Sequence, residues 1–184
     1  MTVVDLAVEP TGIDDLVVVT MKQVTDERGT IREFYRESAF LDAGLPSLGP
    51  WVQVNVTETR RGAVRGMHGE QMTKLVSVAA GRAHGAYVDA RRGSATFGAV
   101  VQVDLVPGVQ VLVPPGVCNG FQALEVGTQF LYCFDVEWQP GMEGVACTPL
   151  DPALGVAWPI AVDPEDEAQV SAKDRGAPRL AELP

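Results

Sequence analysis

The chain's pattern predicts an all-β fold, in the class of sandwiches, jelly rolls and barrels. Two observations carry this. Glycine (19 residues) and proline (13) punctuate the full 184-residue length. The runs between them are short, rich in valine and alternate with period two, as strands with one buried face do. Helical periodicity is weak. Many short strands separated by turn signals suit stacked or closed sheets and no helical class.

In chain order the strand candidates are LVVV at 16–19, WVQVNVT at 51–57, KLVSV at 74–78, AVVQVDLV at 99–106, VQVLV at 109–113 and FLYCFDV at 130–136. RESAFLDAGL at 36–45 has room for a short helix, and PPGVCNGF at 114–121 reads as a turn leading into a strand. No internal repeat and no linker divides the chain, so 1–184 reads as one domain, long enough for a full core. The tail, 160–184, starts acidic and ends near SAKDRGAPRL. It is expected to pack on the outside of the sheets.

Hydrophobic residues make up 46% and charged residues 21% of the chain, an ordinary globular balance. No apolar run approaches the ~18 residues of a membrane span. The formal net charge of −10 argues against nonspecific binding to nucleic acid or anionic membrane, which both need a basic surface. An anionic small ligand is still compatible, since a pocket can be basic on an acidic body. The start, MTVVDLAVEP, has Asp5 and Glu9 and no basic stretch, unlike a signal peptide, so the cytosol is the expected compartment. Cys118, Cys133 and Cys147 are odd in number and form no CxxC, and are expected as reduced core residues.

In WVQVNVTET, Val52, Val54 and Val56 point one way and Gln53, Asn55 and Thr57 the other. Taken alone, this favours a surface strand with a solvated polar face; the other reading is a polar face lining a wet cavity. VRGMHGEQMTKL at 64–75 gathers Arg65, His68 and Lys74, with Gly66 and Gly69 suggesting a tight strand end or turn. A lone histidine is more often structural than catalytic. Lys74 opens the next strand and could project into the same space, and Asp174 could fix the imidazole tautomer. Phe130, Tyr132 and Phe134 share a face. Core packing and a proton-donating hydroxyl are equal readings of Tyr132.

Metal binding has little support. His68-Gly69-Glu70 offers one imidazole and one carboxylate, and His84 belongs to a different strand, as a packed or rim histidine. There is no HxH, HExxH or Cys-His cluster, no phosphate loop or GxGxxG, and no GxSxG elbow.

The segments DERGTIRE (26–33), QVNVTET (53–59), RGAVRGMH (61–68), TKLV (73–76), VDARRGSATFG (88–98), VLVPPGVCNGF (111–121), FLYCFDVEWQPGMEG (130–144), DPALGVAWP (151–159) and SAKD (171–174) follow one another in a known order. In that order the chain resembles the dTDP-4-dehydrorhamnose 3,5-epimerases and their sugar-nucleotide relatives, which are cupin jelly rolls. The resemblance implies a nucleotide-linked 4-keto-6-deoxyhexose as substrate. Its C4 ketone acidifies the hydrogens at C3 and C5, so a base can remove one and an enolate can be reprotonated on the other face. By position His68 is the base, Asp174 its orienting partner, Lys74 the stabiliser of the enolate oxygen and Tyr132 the acid. No metal or redox cofactor is implied. Arg65 would hold the diphosphate, and Gln53 and Asn55 would face the pocket. Arg28 and Glu33 would contact the nucleotide across a homodimer interface built from the N-terminal strands, about 1–50. Trp138 stands where the family usually has a tyrosine and would stack on the sugar or base.

Two departures stand beside the matches. The family's second histidine-aspartate pair is absent: Asn119 stands at the histidine and Gly85 at the aspartate, while His84 should face the other side of its strand. The segment between His68 and Lys74 is also short. The primary pair predicts proton abstraction at C3, C5 or both. The missing pair motivates a noncatalytic sugar-nucleotide binder as an alternative, with a 3,4-ketoisomerase on a similar substrate as a close chemical cousin.

Overall fold

A computed structural model describes residues 1–183; Pro184, at the end of the expected tail, lies outside the described residues. Two antiparallel sheets face each other. The larger has six strands in the order β2 (Ala7–Pro10), β3 (Val17–Thr20), β11 (Val109–Val113), β8 (Lys74–Ala80), β13 (Thr128–Phe134) and β6 (Gln53–Thr59). The smaller has five: β10 (Val100–Leu105), β9 (Ala83–Asp89), β12 (Val117–Ala123), β7 (Val64–Glu70) and β14 (Gly144–Ala146). A separate three-stranded sheet pairs β1 (Thr2–Val4), β4 (Lys22–Asp26) and β5 (Gly29–Glu33). The α-helices are short, α1 (Glu37–Asp42) and α2 (Ala172–Arg175), and no helix among the described residues is long and apolar enough to cross a membrane. Strands far apart in sequence pair, such as β6 with β13 and β3 with β11, beside consecutive pairs such as β9 with β10. The result is a jelly-roll sandwich of the cupin type.

The period-two pattern explains the layers. From β8, Val76 and Val78 turn into the gap between the sheets and meet Tyr87 of β9 and Val117 and Phe121 of β12. Phe121 stacks on Phe130 of β13, with ring centroids 3.9 Å apart. The opposite side of β8 is also covered: Leu75 packs with Leu112 and Cys133 under Phe40 and Leu48 from the α1 region. A strand buried on both faces needs no polar alternation, hence the unbroken KLVSV run. On the other side of the smaller sheet Leu154 and, from near the C-terminus, Leu183 pack with Met67, Ala86, Val88 and Cys118. All three cysteines are free and buried.

Several strands left no alternating signal. All seven residues of β12 are buried, so VCNGFQA shows no polar face. In β7 the glycines interrupt the pattern. His68 therefore lies within a strand, and the expected strand end or turn is corrected to a mid-strand bulge.

Candidate active site

The bulge decides what β7 presents. His68 pairs with Asn119, but Arg65 pairs with Phe121, so three steps along β7 match two along β12. Gly66 permits this. Its φ is 121°, and a Cβ there would lie 2.5 Å from Gly120 Cα and 2.8 Å from the Asn119 carbonyl oxygen, so only glycine fits. In a regular strand residues 65 and 68 would face opposite ways. Here Arg65, His68 and Glu70 all line one cavity of about 600 Å³ between the sheets.

Asp174 reaches His68 from α2. Ser171 caps that helix by accepting the Asp174 N–H at 3.1 Å. The Asp174 carboxylate then binds His68 Nε2 at 2.8 Å and accepts the Gly66 N–H at 3.4 Å. Burial alone would raise the Asp174 pKa, but the hydrogen bond and charge of His68 outweigh it and hold the carboxyl below its usual range. A carboxylate on Nε2 favours the proton there and leaves Nδ1 with its lone pair. Nδ1 has no protein hydrogen bond among the described residues, and the side chain is 36% exposed. That is the arrangement of a general base.

Lys74 enters from the facing sheet. Its ammonium donates to Glu70, to Asn119 Oδ1 at 2.7 Å and to the His68 carbonyl at 3.1 Å. Tyr132, also on the facing sheet, lines the cavity between Phe130 and Phe134. Burial pushes its hydroxyl well above the usual tyrosine range. A phenol so shifted stays protonated and yields its proton only to a strong base such as a carbanion.

The polar side of β6 looks inward. Asn55 lies opposite Tyr132 and lines the cavity. Val52, Val54 and Val56 are 45%, 55% and 58% exposed on the other side of the strand. The surface-strand reading is therefore corrected at Asn55, which is exposed at the cavity, while Gln53 and Thr57 do not line it. Gln53 is one step removed from the cavity. It donates to Asn55 Oδ1 at 3.1 Å and accepts the Trp138 N–H at 2.8 Å, tying β6 to the loop that places Trp138 at the cavity wall. Arg65, braced on Thr59 Oγ1 at 3.1 Å, shares the lining with Lys173.

Arg28 and Glu33 are not brought to this cavity. Arg28 sits on the exposed β4–β5 turn and pairs with Asp26 at 2.6 Å, and Glu33 pairs with Arg36. Asn119 faces the cavity but serves as an acceptor for Lys74. A Cβ at Gly85 would lie 3.0 Å from Tyr87 Oη and 3.0 Å from Leu105 Cδ1, so those side chains fill the space an aspartate would need. His84 does face outward, against Trp158, with its ring nitrogens bonded to Asp104 and Gln102. No group of three or more metal-ligating side chains occurs among the described residues.

Sequence reasoning passed over Glu70 and Lys173 as site residues. Both had a signal: Glu70 follows His68 by one period of the strand, and Lys173 adjoins Asp174 in SAKD.

Known proteins share this sequence pattern and this architecture. The family model described as dTDP-4-dehydrorhamnose 3,5-epimerase matches residues 10–182. A dTDP-4-dehydrorhamnose 3,5-epimerase of Salmonella typhimurium is 34% identical over 92% of this chain and 93% of its own length. A dTDP-4-dehydro-6-deoxyglucose 3-epimerase of Streptomyces bikiniensis is 32% identical over 85% of this chain and 80% of its own. RmlC from Streptococcus suis, solved with dTDP-D-xylose, superimposes with a TM-score of 0.86 at 29% identity, covering 98% of this chain and 94% of that one. With the match running through both sheets and the α2 segment that carries Asp174, the chain belongs to the dTDP-4-dehydrorhamnose 3,5-epimerase family.

Proposed function

We propose that this protein epimerises a nucleotide-linked 4-keto-(6-deoxy)hexose at C3, C5 or both, a step of deoxysugar biosynthesis. The observation that carries the reading is geometric: the His68–Asp174 pair and Tyr132 enter one cavity from facing sheets. Inversion needs that arrangement, because the proton must leave one face of the carbon and return to the other.

His68 Nδ1 takes the hydrogen beside the ketone, and the C–H electron pair moves onto the C4 oxygen as an enolate. Asp174 stabilises the imidazolium. Lys74 meets the developing oxygen charge, where a preorganised cation in a partly dry site is most effective. Tyr132 delivers a proton to the opposite face as the ketone re-forms. The sugar is neither oxidised nor reduced, so this chemistry calls on no cofactor.

Arg65 and Lys173 suit the diphosphate, a guanidinium fork and an ammonium beside an anion, and Trp138 offers a stacking face. The dTDP carried by the relatives is the nucleotide to try first. The protein acts as a cytosolic homodimer of single-domain chains, with the N-terminal strands in the interface. Exposed Val54, Val56 and Ile31, the last at 75%, favour such a covered face. Arg28 and Glu33 then serve the partner's nucleotide.

The test uses dTDP-4-keto-6-deoxyglucose in deuterated water. The protein should wash deuterium into C3, C5 or both, and His68→Ala should lower the exchange by about 10²–10⁴-fold. Exchange that survives His68→Ala would refute the assigned base. Product NMR distinguishes the ketoisomerase, which moves the carbonyl away from C4. Binding by calorimetry without exchange identifies the noncatalytic reading.

A further inference from the structure

A lysine ammonium has three N–H donors. At Lys74 all three are taken, by Glu70, Asn119 and the His68 carbonyl. Two of those acceptors are neutral; Glu70 is the anion among them. The pair is well enclosed, with Lys74 5% and Glu70 18% exposed at the side chain. A charge taken out of water needs an opposite charge or hydrogen bonds to offset the lost solvation. Burial pushes the Glu70 carboxyl up, but the charge and hydrogen bond of Lys74 outweigh this and keep it below its ordinary value.

A lysine with every donor engaged cannot also take an enolate oxygen. One donor has to change hands. The His68 carbonyl belongs to the backbone of β7, and Asn119 is 5% exposed on β12. Glu70 is a flexible side chain on the cavity wall. It is the acceptor that can withdraw.

We propose that Glu70 is a positioning residue for the epimerisation, an inference that rests on the function proposed above. It holds the Lys74 ammonium in place while the cavity is empty, then releases one of its donors to the C4 oxygen as the ketone binds. Once released, Glu70 faces the sugar, whose hydroxyls are donors that a carboxylate accepts. The other titratable groups around the cavity are Arg65 and His68 on β7, Tyr132 on β13, and Lys173 and Asp174 from α2. Cys118 on β12 lies within electrostatic range of the lysine. None of these side chains hydrogen-bonds to the Lys74 ammonium among the described residues. Asp174, the other nearby anion, is bound to His68.

Glu70→Gln keeps the size and an acceptor oxygen but removes the charge. Glu70→Asp keeps the charge and shortens the reach. The first readout needs no substrate: hydrogen exchange of the Lys74 ammonium, followed by NMR in isotopically labelled protein. An ammonium held by a charge-assisted bond exchanges slowly, so exchange should be severalfold faster in Glu70→Gln than in the wild type, with Glu70→Asp close to wild type. The second is deuterium exchange into the 4-keto sugar nucleotide. Glu70→Gln should lower kcat about tenfold with little change in KM, and Glu70→Asp should recover part of that loss.

Equal hydrogen exchange of the Lys74 ammonium in wild type and Glu70→Gln overturns the counter-charge role. Wild-type kcat in Glu70→Gln overturns the positioning role, and if that variant does not fold, wild-type kcat in Glu70→Asp does so. A wild-type protein that exchanges no deuterium defeats the epimerase reading and the catalytic half of this proposal. Hydrogen exchange of the lysine ammonium still decides the other half.

Discussion

Two parts of the same gap between the sheets have opposite character. In one, Phe121 lies on Phe130 with rings 3.9 Å apart, among Val76, Val78 and Val111, all at or below 1% exposure. In the other, His68, Glu70, Lys74, Asn119 and Tyr132 surround an open cavity. The same strands build both. Asn119 is one strand period from Phe121 on β12, Tyr132 one from Phe130 on β13, and Lys74 one from Val76 on β8. A step of roughly 6–7 Å along each strand thus separates dry core from reactive site. The dry part fixes the spacing of the sheets, and the wet part uses that spacing to set His68 and Tyr132 on opposite walls.

Perturbing each part separately tests whether they are separable. Phe121→Ala removes one ring of the stack and should cost about 3–5 kcal/mol of stability, read as a melting temperature lower by roughly 10 °C. Deuterium exchange measured below that transition should fall far less than in a site variant. A collapse of exchange in the still-folded protein would mean that the two parts act as one unit. Asp174→Asn should do the reverse, lowering exchange about 10²–10³-fold while the fold persists.

Asn119→Val would make the inner row of β12 apolar from Val117 to Phe121. Lys74 then loses an acceptor while enclosed, and we expect about 1–3 kcal/mol of destabilisation by chemical denaturation. A neutral or stabilising result would show that the lysine finds another partner. The smallest effect concerns acid. Asp174 and Glu70 are both held below their ordinary pKa values in the folded state. The stability they contribute is present above their unfolded values of about 4 and is lost as pH falls through the folded ones. A denaturation series from about pH 6 to pH 3 should show this decline, and Asp174→Asn should flatten it.

Much of the dry part was legible. KLVSV, VQVLV and FLYCFDV lie on strands close to where period two put them, and the weak helical signal at 36–45 became the single short α1. β9 and β12 gave no alternation to read, since nearly every residue of each is buried and glycine interrupts both; β9 was read only as the strand of His84 and β12 only as the continuation of the PPGVCNGF turn. The site was legible in residue type more than in arrangement. His68, Lys74, Tyr132 and Asp174 do line or reach one cavity. Glu70 was seen only as an unconvincing metal ligand, because its significance lies in an ammonium that comes from the other sheet.

By itself the sequence determined what local backbone geometry encodes: where strands run, which residues share a face, and the glycine that lets β7 bulge at position 66. It did not determine which face is inside. On β6 hydrophobicity would send Val54 and Val56 inward, yet pairing with β13 puts Asn55 beside Tyr132 and leaves the valines out. On β7 a three-residue spacing would part Arg65 from His68, yet the register with β12 turns both to one cavity. The physical reason is common to both cases. Alternation belongs to one strand, whereas the inner side and the bulge register arise only when segments distant in sequence are paired, and the Glu70–Lys74 contact, though only four residues apart, arises only because the chain crosses there from one sheet to the facing one.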